Sequence, residues 1–199
     1  MRVLIVGTNG DVGKAAVGEL AKRHEVITAG RSTGEIRVDL LDAASIAAMF
    51  EKVGKIDAVV ACAGHAHYGP LATITQDQFM MGLKDKLMGQ VNLVLLGTRY
   101  VNDSGSFTLT SGVLDRDPVR KGVNGATVNG ALKGFVTSAA IELERGIRIN
   151  VVSPGVLQSS SRKYEGFFPG HEAVSSERVG LAYAKSVEGA VSGQVIIIA

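Results

Sequence analysis

A chain of 199 residues that is 46% hydrophobic can bury one substantial core, and it leaves no room for a separate second domain beside a full parallel sheet. The formal charge is only +2 and the basic residues are scattered, so nothing points to nucleic acid or a membrane surface as a partner. The one cysteine, Cys62, excludes an intramolecular disulfide framework and fits a reducing cytoplasm, and its strand-like surroundings predict a buried structural thiol rather than a nucleophile.

Met1-Arg2 runs straight into an apolar strand with no cleavage-site pattern, and no apolar run approaches membrane-spanning length, which predicts a soluble, cytoplasmic protein. From there Val- and Ile-rich runs alternate with stretches of helical period. Strands are predicted over 2–6, 25–29, 36–38, 57–61, 105–110, 147–152 and 194–198, and helices over 11–23, 43–53, 76–101, 122–145 and 176–188. Parallel strands buried on both faces read as unbroken apolar runs, as Val3-Leu4-Ile5-Val6, Ala58-Val59-Val60-Ala61 and Val195-Ile196-Ile197-Ile198 do. The alternation predicts an α/β fold of Rossmann type. It would form one domain over 1–199, with a doubly wound, mostly parallel seven-stranded sheet and a ligand crevice at the strand ends.

The turn after the first strand reads Gly7-Thr8-Asn9-Gly10-Asp11-Val12-Gly13 and opens a helix. Glycines there let the backbone turn sharply and approach a pyrophosphate, while the free amides of the helix N-terminus donate to its charge. This placement at the head of an alternating chain predicts a dinucleotide site. The second strand ends in Gly30-Arg31-Ser32, with no carboxylate for the adenosine ribose, and the Arg31 guanidinium suits a 2′-phosphate. NADP(H) is therefore the expected cofactor, with NAD(H) also possible, and no metal site is expected.

With these elements placed, the chain resembles the short-chain dehydrogenase/reductase family over nearly its whole length. Ala61-Cys62-Ala63-Gly64 is similar to that family's Asn-Asn-Ala-Gly, and Val38-Asp39-Leu40 to the segment whose aspartate meets the adenine amino group. Asn150-Val151-Val152-Ser153-Pro154-Gly155 is similar to the sixth-strand motif, which places Pro154, Gly155 and Val156 at the cofactor and Ser159 near its nicotinamide end. Lys133 falls where the family keeps a cofactor-binding lysine. The glycine turn departs from the commonest pattern of the family, carrying Val6 and Asp11 where Thr and the middle Gly usually stand.

The resemblance implies hydride transfer between a nicotinamide and a carbonyl or alcohol carbon. A tyrosine would exchange the proton, and a lysine would hold the ribose and lower the tyrosine's pKa. Here Tyr-x-x-x-Lys becomes Asn129-Gly130-Ala131-Leu132-Lys133, and an amide cannot deliver a proton near neutral pH. Lys86 stands where the family's catalytic Asn is expected, and Ser111 lies one place before the usual serine. Substitute acids are sought in Lys86, His65, His67 and Tyr164, with Lys86 first because it would lie near Lys133, each ammonium disfavouring the other's charge. His65, after Ala63-Gly64, ranks second because its ordinary pKa suits acid–base work.

Two functions follow as expectations. One is an NADP-dependent oxidoreductase acting on a small carbonyl or alcohol, with a short substrate loop near 156–175. The other is a catalytically silent NADP(H)-binding sensor or partner protein. A homodimer or homotetramer is also expected, through second apolar stripes on the helices of Lys86 and Lys133, with Leu93, Val94, Leu96, Leu132, Phe135 and Val136 as candidates.

Overall fold

The computed structural model describes residues 1–199 as one sheet with helices on both faces. In chain order the strands are β1 (Arg2–Val6), β2 (Glu25–Gly30), β3 (Ile36–Arg37), β4 (Ile56–Ala61), β5 (Val101–Thr110), β6 (Arg148–Pro154) and β7 (Val195–Ile198). The helices are α1 (Asp11–Leu20), α2 (Ala43–Val53), α3 (Gln76–Gly82), α4 (Gly89–Gly97), α5 (Val123–Glu142) and α6 (Ser176–Glu188). All seven strands are parallel, in the order β3-β2-β1-β4-β5-β6-β7. The predicted seven-stranded Rossmann-type fold is what is observed.

Strand alternation divides the core in two. Leu4 and Val6 of β1, Val59 and Ala61 of β4, and Phe107 and Leu109 of β5 face one layer, where they meet Phe50 of α2, Leu93 of α4 and Leu132 of α5. Val3, Ile5, Ala58 and Val60 face the other, against Ala16 and Leu20 of α1 and Val179 and Tyr183 of α6. Asp42 and Ser175 cap α2 and α6 through their side chains, and a Thr75–Gln78 capping box starts α3.

Chain direction across the sheet reverses between β1 and β4, because β2 and β3 lie on one side and β5 to β7 on the other. The carboxyl ends of β1 and β4 therefore splay their following loops apart and leave a crevice.

The region read as one helix over 76–101 is three segments. Leu83–Met88 forms a π-helical turn between α3 and α4, and the chain enters β5 at Val101 instead of 105. A π turn inserts a residue into the helical ladder and so rotates the face that follows it. The stripes expected at a subunit interface are also corrected. Leu93, Val94, Leu132 and Val136 are buried in the chain's own core, and Leu96 and Phe135 pack against it. Leu95 and Ile141 are the exposed apolar side chains of α4 and α5. No helix is long and apolar enough to cross a membrane.

Candidate active site

The turn after β1 is built by close approach. Gly7 has φ 91°, and a Cβ on it would sit 2.6 Å from the Cβ of Ala63, while one on Gly13 would collide with the Gly7 carbonyl oxygen. Larger residues at either place would push the turn off the end of β4. Gly10, the N-cap of α1, brings no side chain to the helix amides, and a Cβ there would meet no protein atom within 4 Å. The open amides and missing side chains suit a pyrophosphate, so the residues present fit a dinucleotide.

From this turn runs a cleft of about 400 Å³. It is lined by Gly7, Thr8, Asn9 and Gly10, by Arg31 and Ser32 at the end of β2, by Asp39 and Leu40, and by Ala63, Gly64 and His65 after β4. Arg31 is exposed and makes no hydrogen bond or ion pair within the chain, so its guanidinium is available to an anion. Asp39 holds its own loop: its amide donates to Ser45 Oγ at 2.9 Å and its carboxylate accepts from the Leu41 amide at 3.0 Å.

A second cavity of about 430 Å³ shares Cys62, Ala63, Gly64 and His65 with the first, and continues over Val12, Ala66, Tyr68, Lys86, Thr110, Gly125, Asn129, Lys163 and Tyr164. Lys86 reaches it from the π turn. Its ammonium donates to Asn129 Oδ1 at 2.7 Å and to the Ser111 carbonyl at 2.9 Å, which leaves one of its three N–H groups uncommitted. Asn129 is oriented in turn by donation from Nδ2 to the Gly112 carbonyl at 3.1 Å. Burial lowers the Lys86 pKa from 10.5 to about 8, against the pull of the Asp115 carboxylate. The close seat of Lys86 depends on Gly64, which has φ 125° and whose Cβ would lie 2.6 Å from the Lys86 Cα.

Other expected site residues are placed differently. Lys133 is exposed, makes no side-chain hydrogen bond and lines neither cavity, although it follows the cavity-lining Asn129 by one helical turn. The buried stripe of α5 passes through Gly125, Val128, Asn129, Leu132 and Val136, and Lys133 lies about 100° round the helix from Leu132. Ser111 is buried, and its hydroxyl donates to Asp115 Oδ2 at 2.8 Å instead of lining the cavity. His65 lines both cavities, but its Nδ1 is 3.0 Å from Asp85 Oδ2 and its side chain is mostly exposed.

Pro154, Gly155, Val156 and Ser159 line neither cavity. Their segment is closed by a Leu157–Val174 bridge, and Ser160 donates to the Asp11 carboxylate at the start of α1. Cys62 is partly exposed and lines both cavities, yet burial of its thiol raises the pKa to about 12 and keeps it protonated. Sequence reasoning missed Tyr68, Asp85, Asp115 and Gly125. Only Gly125 had a legible signal, its spacing of four from Asn129.

Residues 1–186 match the family model described as Enoyl-(Acyl carrier protein) reductase. The protein lin1944 from Listeria innocua has a crystal structure to which this one is similar with TM-score 0.98 and 46% identity, covering 100% of both chains. A small-chain dehydrogenase solved in complex with NADPH is similar with TM-score 0.87 and 25% identity, over 100% of this chain and 96% of that one. The short-chain dehydrogenase/reductase ucsE from Acremonium sp is 32% identical over 108 residues, which span 53% of this chain and 40% of that protein's length. With its seven parallel strands, glycine turn and switch-point crevice, this chain belongs to the short-chain dehydrogenase/reductase family.

Proposed function

We propose that the protein is an NADP(H)-dependent oxidoreductase that interconverts a small carbonyl compound and its alcohol, with Lys86 as the proton donor. The observation that carries this reading is the seat of Lys86: one uncommitted N–H of a partly buried ammonium, on the wall of the cavity that continues from the dinucleotide cleft. Bound NADPH supplies a hydride to the carbonyl carbon. Lys86 gives its proton to the carbonyl oxygen as the C=O π bond becomes a C–O single bond, and it is reprotonated from solvent. Asn129 and the Ser111 carbonyl fix the direction of the ammonium, and Gly64 admits it to the cavity edge. His65 is the second candidate for the donor.

NADP(H) is preferred to NAD(H) in this reading because Arg31, at the rim of the cleft beside Ser32, has no partner in the chain. The NADPH named for a structural neighbour supports the same choice. The segment near 156–175 serves as the substrate loop, since Lys163 and Tyr164 on it reach the second cavity.

One observation favours a second reading. The crevice face of α5 presents Gly125 and Asn129, neither of which can release a proton near neutral pH. NADPH titration followed by its oxidation with a panel of aldehydes, ketones and quinones separates the two. Oxidation supports the enzyme, and binding without oxidation of any carbonyl supports a silent NADP(H)-binding sensor or partner.

A further inference from the structure

The loop that leaves β4 runs along the second cavity and is hydrogen-bonded to the start of α5. The His67 amide donates to Asn124 Oδ1 at 2.9 Å and the Gly69 amide to the Lys121 carbonyl at 3.0 Å, so both neighbours of Tyr68 are pinned to the start of α5. Asn124 is fully buried, and its Nδ2 donates to the Phe79 carbonyl of α3 at 2.7 Å. Tyr68 is thus carried on a bracket made by three elements.

What the bracket presents is a hydroxyl. Tyr68 Oη lies 3.6 Å from the point where a Cβ of Gly125 would stand, an ordinary contact distance, and Leu114 Cδ1 is nearer at 3.0 Å, so the phenol stands beside the crevice face of α5. That hydroxyl makes no hydrogen bond within the chain, and Tyr68, Gly125, Asn129 and Lys86 line one cavity. Desolvation raises the Tyr68 pKa above its ordinary value of 10.0, and neighbouring Tyr164 adds to the rise. The phenol is therefore a neutral donor at physiological pH. Among the cavity's uncommitted donors, the third N–H of Lys86 and the O–H of Tyr68 are tied in place from two sides, while Lys163 and Tyr164 add further donors from the segment near 156–175.

Donors carried into one cavity by different elements suit a ligand with more than one acceptor oxygen. We propose that the substrate carries a second oxygen function, as a dione or hydroxy-ketone does, and that Tyr68 binds it through its phenol O–H while Lys86 meets the reacting carbonyl. This inference rests on the carbonyl-reductase reading for the reaction, but the two-oxygen specificity can be measured by binding alone.

The test compares cyclohexanone with the 1,2-, 1,3- and 1,4-cyclohexanediones, on wild type and Tyr68→Phe, by NADPH oxidation and by calorimetric binding to the NADP⁺-loaded protein. At least one dione should be preferred to the monoketone. Tyr68→Phe should weaken that dione roughly three- to tenfold in KM or Kd, the worth of one hydrogen bond, and leave cyclohexanone and NADPH affinity unchanged. The melting temperature of the variant checks that the bracket is intact.

Should wild type bind a dione without turning it over, and Tyr68→Phe weaken it, the carbonyl-reductase reading fails and the two-oxygen site stands. Equal loss for dione and monoketone, an undiminished preference in Tyr68→Phe, or no binding of any probe by wild type would overturn the proposal.

Discussion

The ammonium of Lys86, carried on a π turn, donates to the side-chain oxygen of Asn129 on α5 at 2.7 Å. The contact brings a cation from one helix to the amide of another, at the point where α5 itself offers no ionisable group to the cavity. It also takes up the Asn129 oxygen, and the Gly112 carbonyl takes its Nδ2, so Asn129 fixes the direction of the Lys86 ammonium.

Burial of Lys86 makes stability depend on pH. In the fold its pKa is about 8 against 10.5 unperturbed, so between these values the unfolded chain binds more protons. Lys86 therefore contributes a rise in stability as pH increases through that window, and nothing further above it. Thermal melts across this range should show a flatter pH dependence in Lys86→Met than in wild type, after both are corrected for the common background.

Removing the Arg31 guanidinium should cost NADPH affinity and spare NADH. Loss of one charge-assisted hydrogen bond corresponds to a weakening of roughly ten- to hundredfold. Fluorescence titration of Arg31→Ala with both cofactors checks this, and an undiminished preference for NADPH would defeat the assignment.

Gly64→Ala should damage fold and activity together. The added methyl would meet the Lys86 Cα at 2.6 Å, and the position has φ 125°, so either the β4 loop or the π turn must move. Overpacking of about 1–3 kcal/mol predicts a melting temperature lower by roughly 2–12 °C. Differential scanning calorimetry measures it, and turnover should fall further than stability alone explains.

The sheet was legible because its strands announce themselves chemically: Val3 to Val6 and Val195 to Ile198 are apolar runs with turn residues beside them. The first cleft was legible for a related reason, since the glycines after β1 and Arg31 after β2 that line it occupy fixed places at strand ends. Catalytic geometry was not. Whether Lys133 faces the cavity depends on the rotation of α5, and where Lys86 points depends on a π turn that no apolar period marks. Tyr68 came to the site by a loop path fixed through the Asn124 hydrogen bonds, a long-range relation with no local signature.

Association should use side chains that the fold leaves outside. Leu95 on α4 is 63% exposed and Ile141 on α5 86% exposed, whereas the stripe residues named from sequence lie in the core or pack against it. Light scattering at micromolar concentration should give a dimer or tetramer, and Leu95→Glu should shift it toward monomer. A monomeric wild type would contradict the expected interface.

The most direct test of the account is the pH dependence of carbonyl reduction by wild type and Lys86→Met at saturating NADPH. If Lys86 donates the proton, wild-type turnover holds level below its pKa of about 8 and falls about tenfold per pH unit above it. Lys86→Met should be slower by roughly a hundred- to ten-thousand-fold, lack that basic limb, and keep NADPH affinity within a few fold. Equal turnover and the same basic limb in both proteins would show that the proton comes from another group.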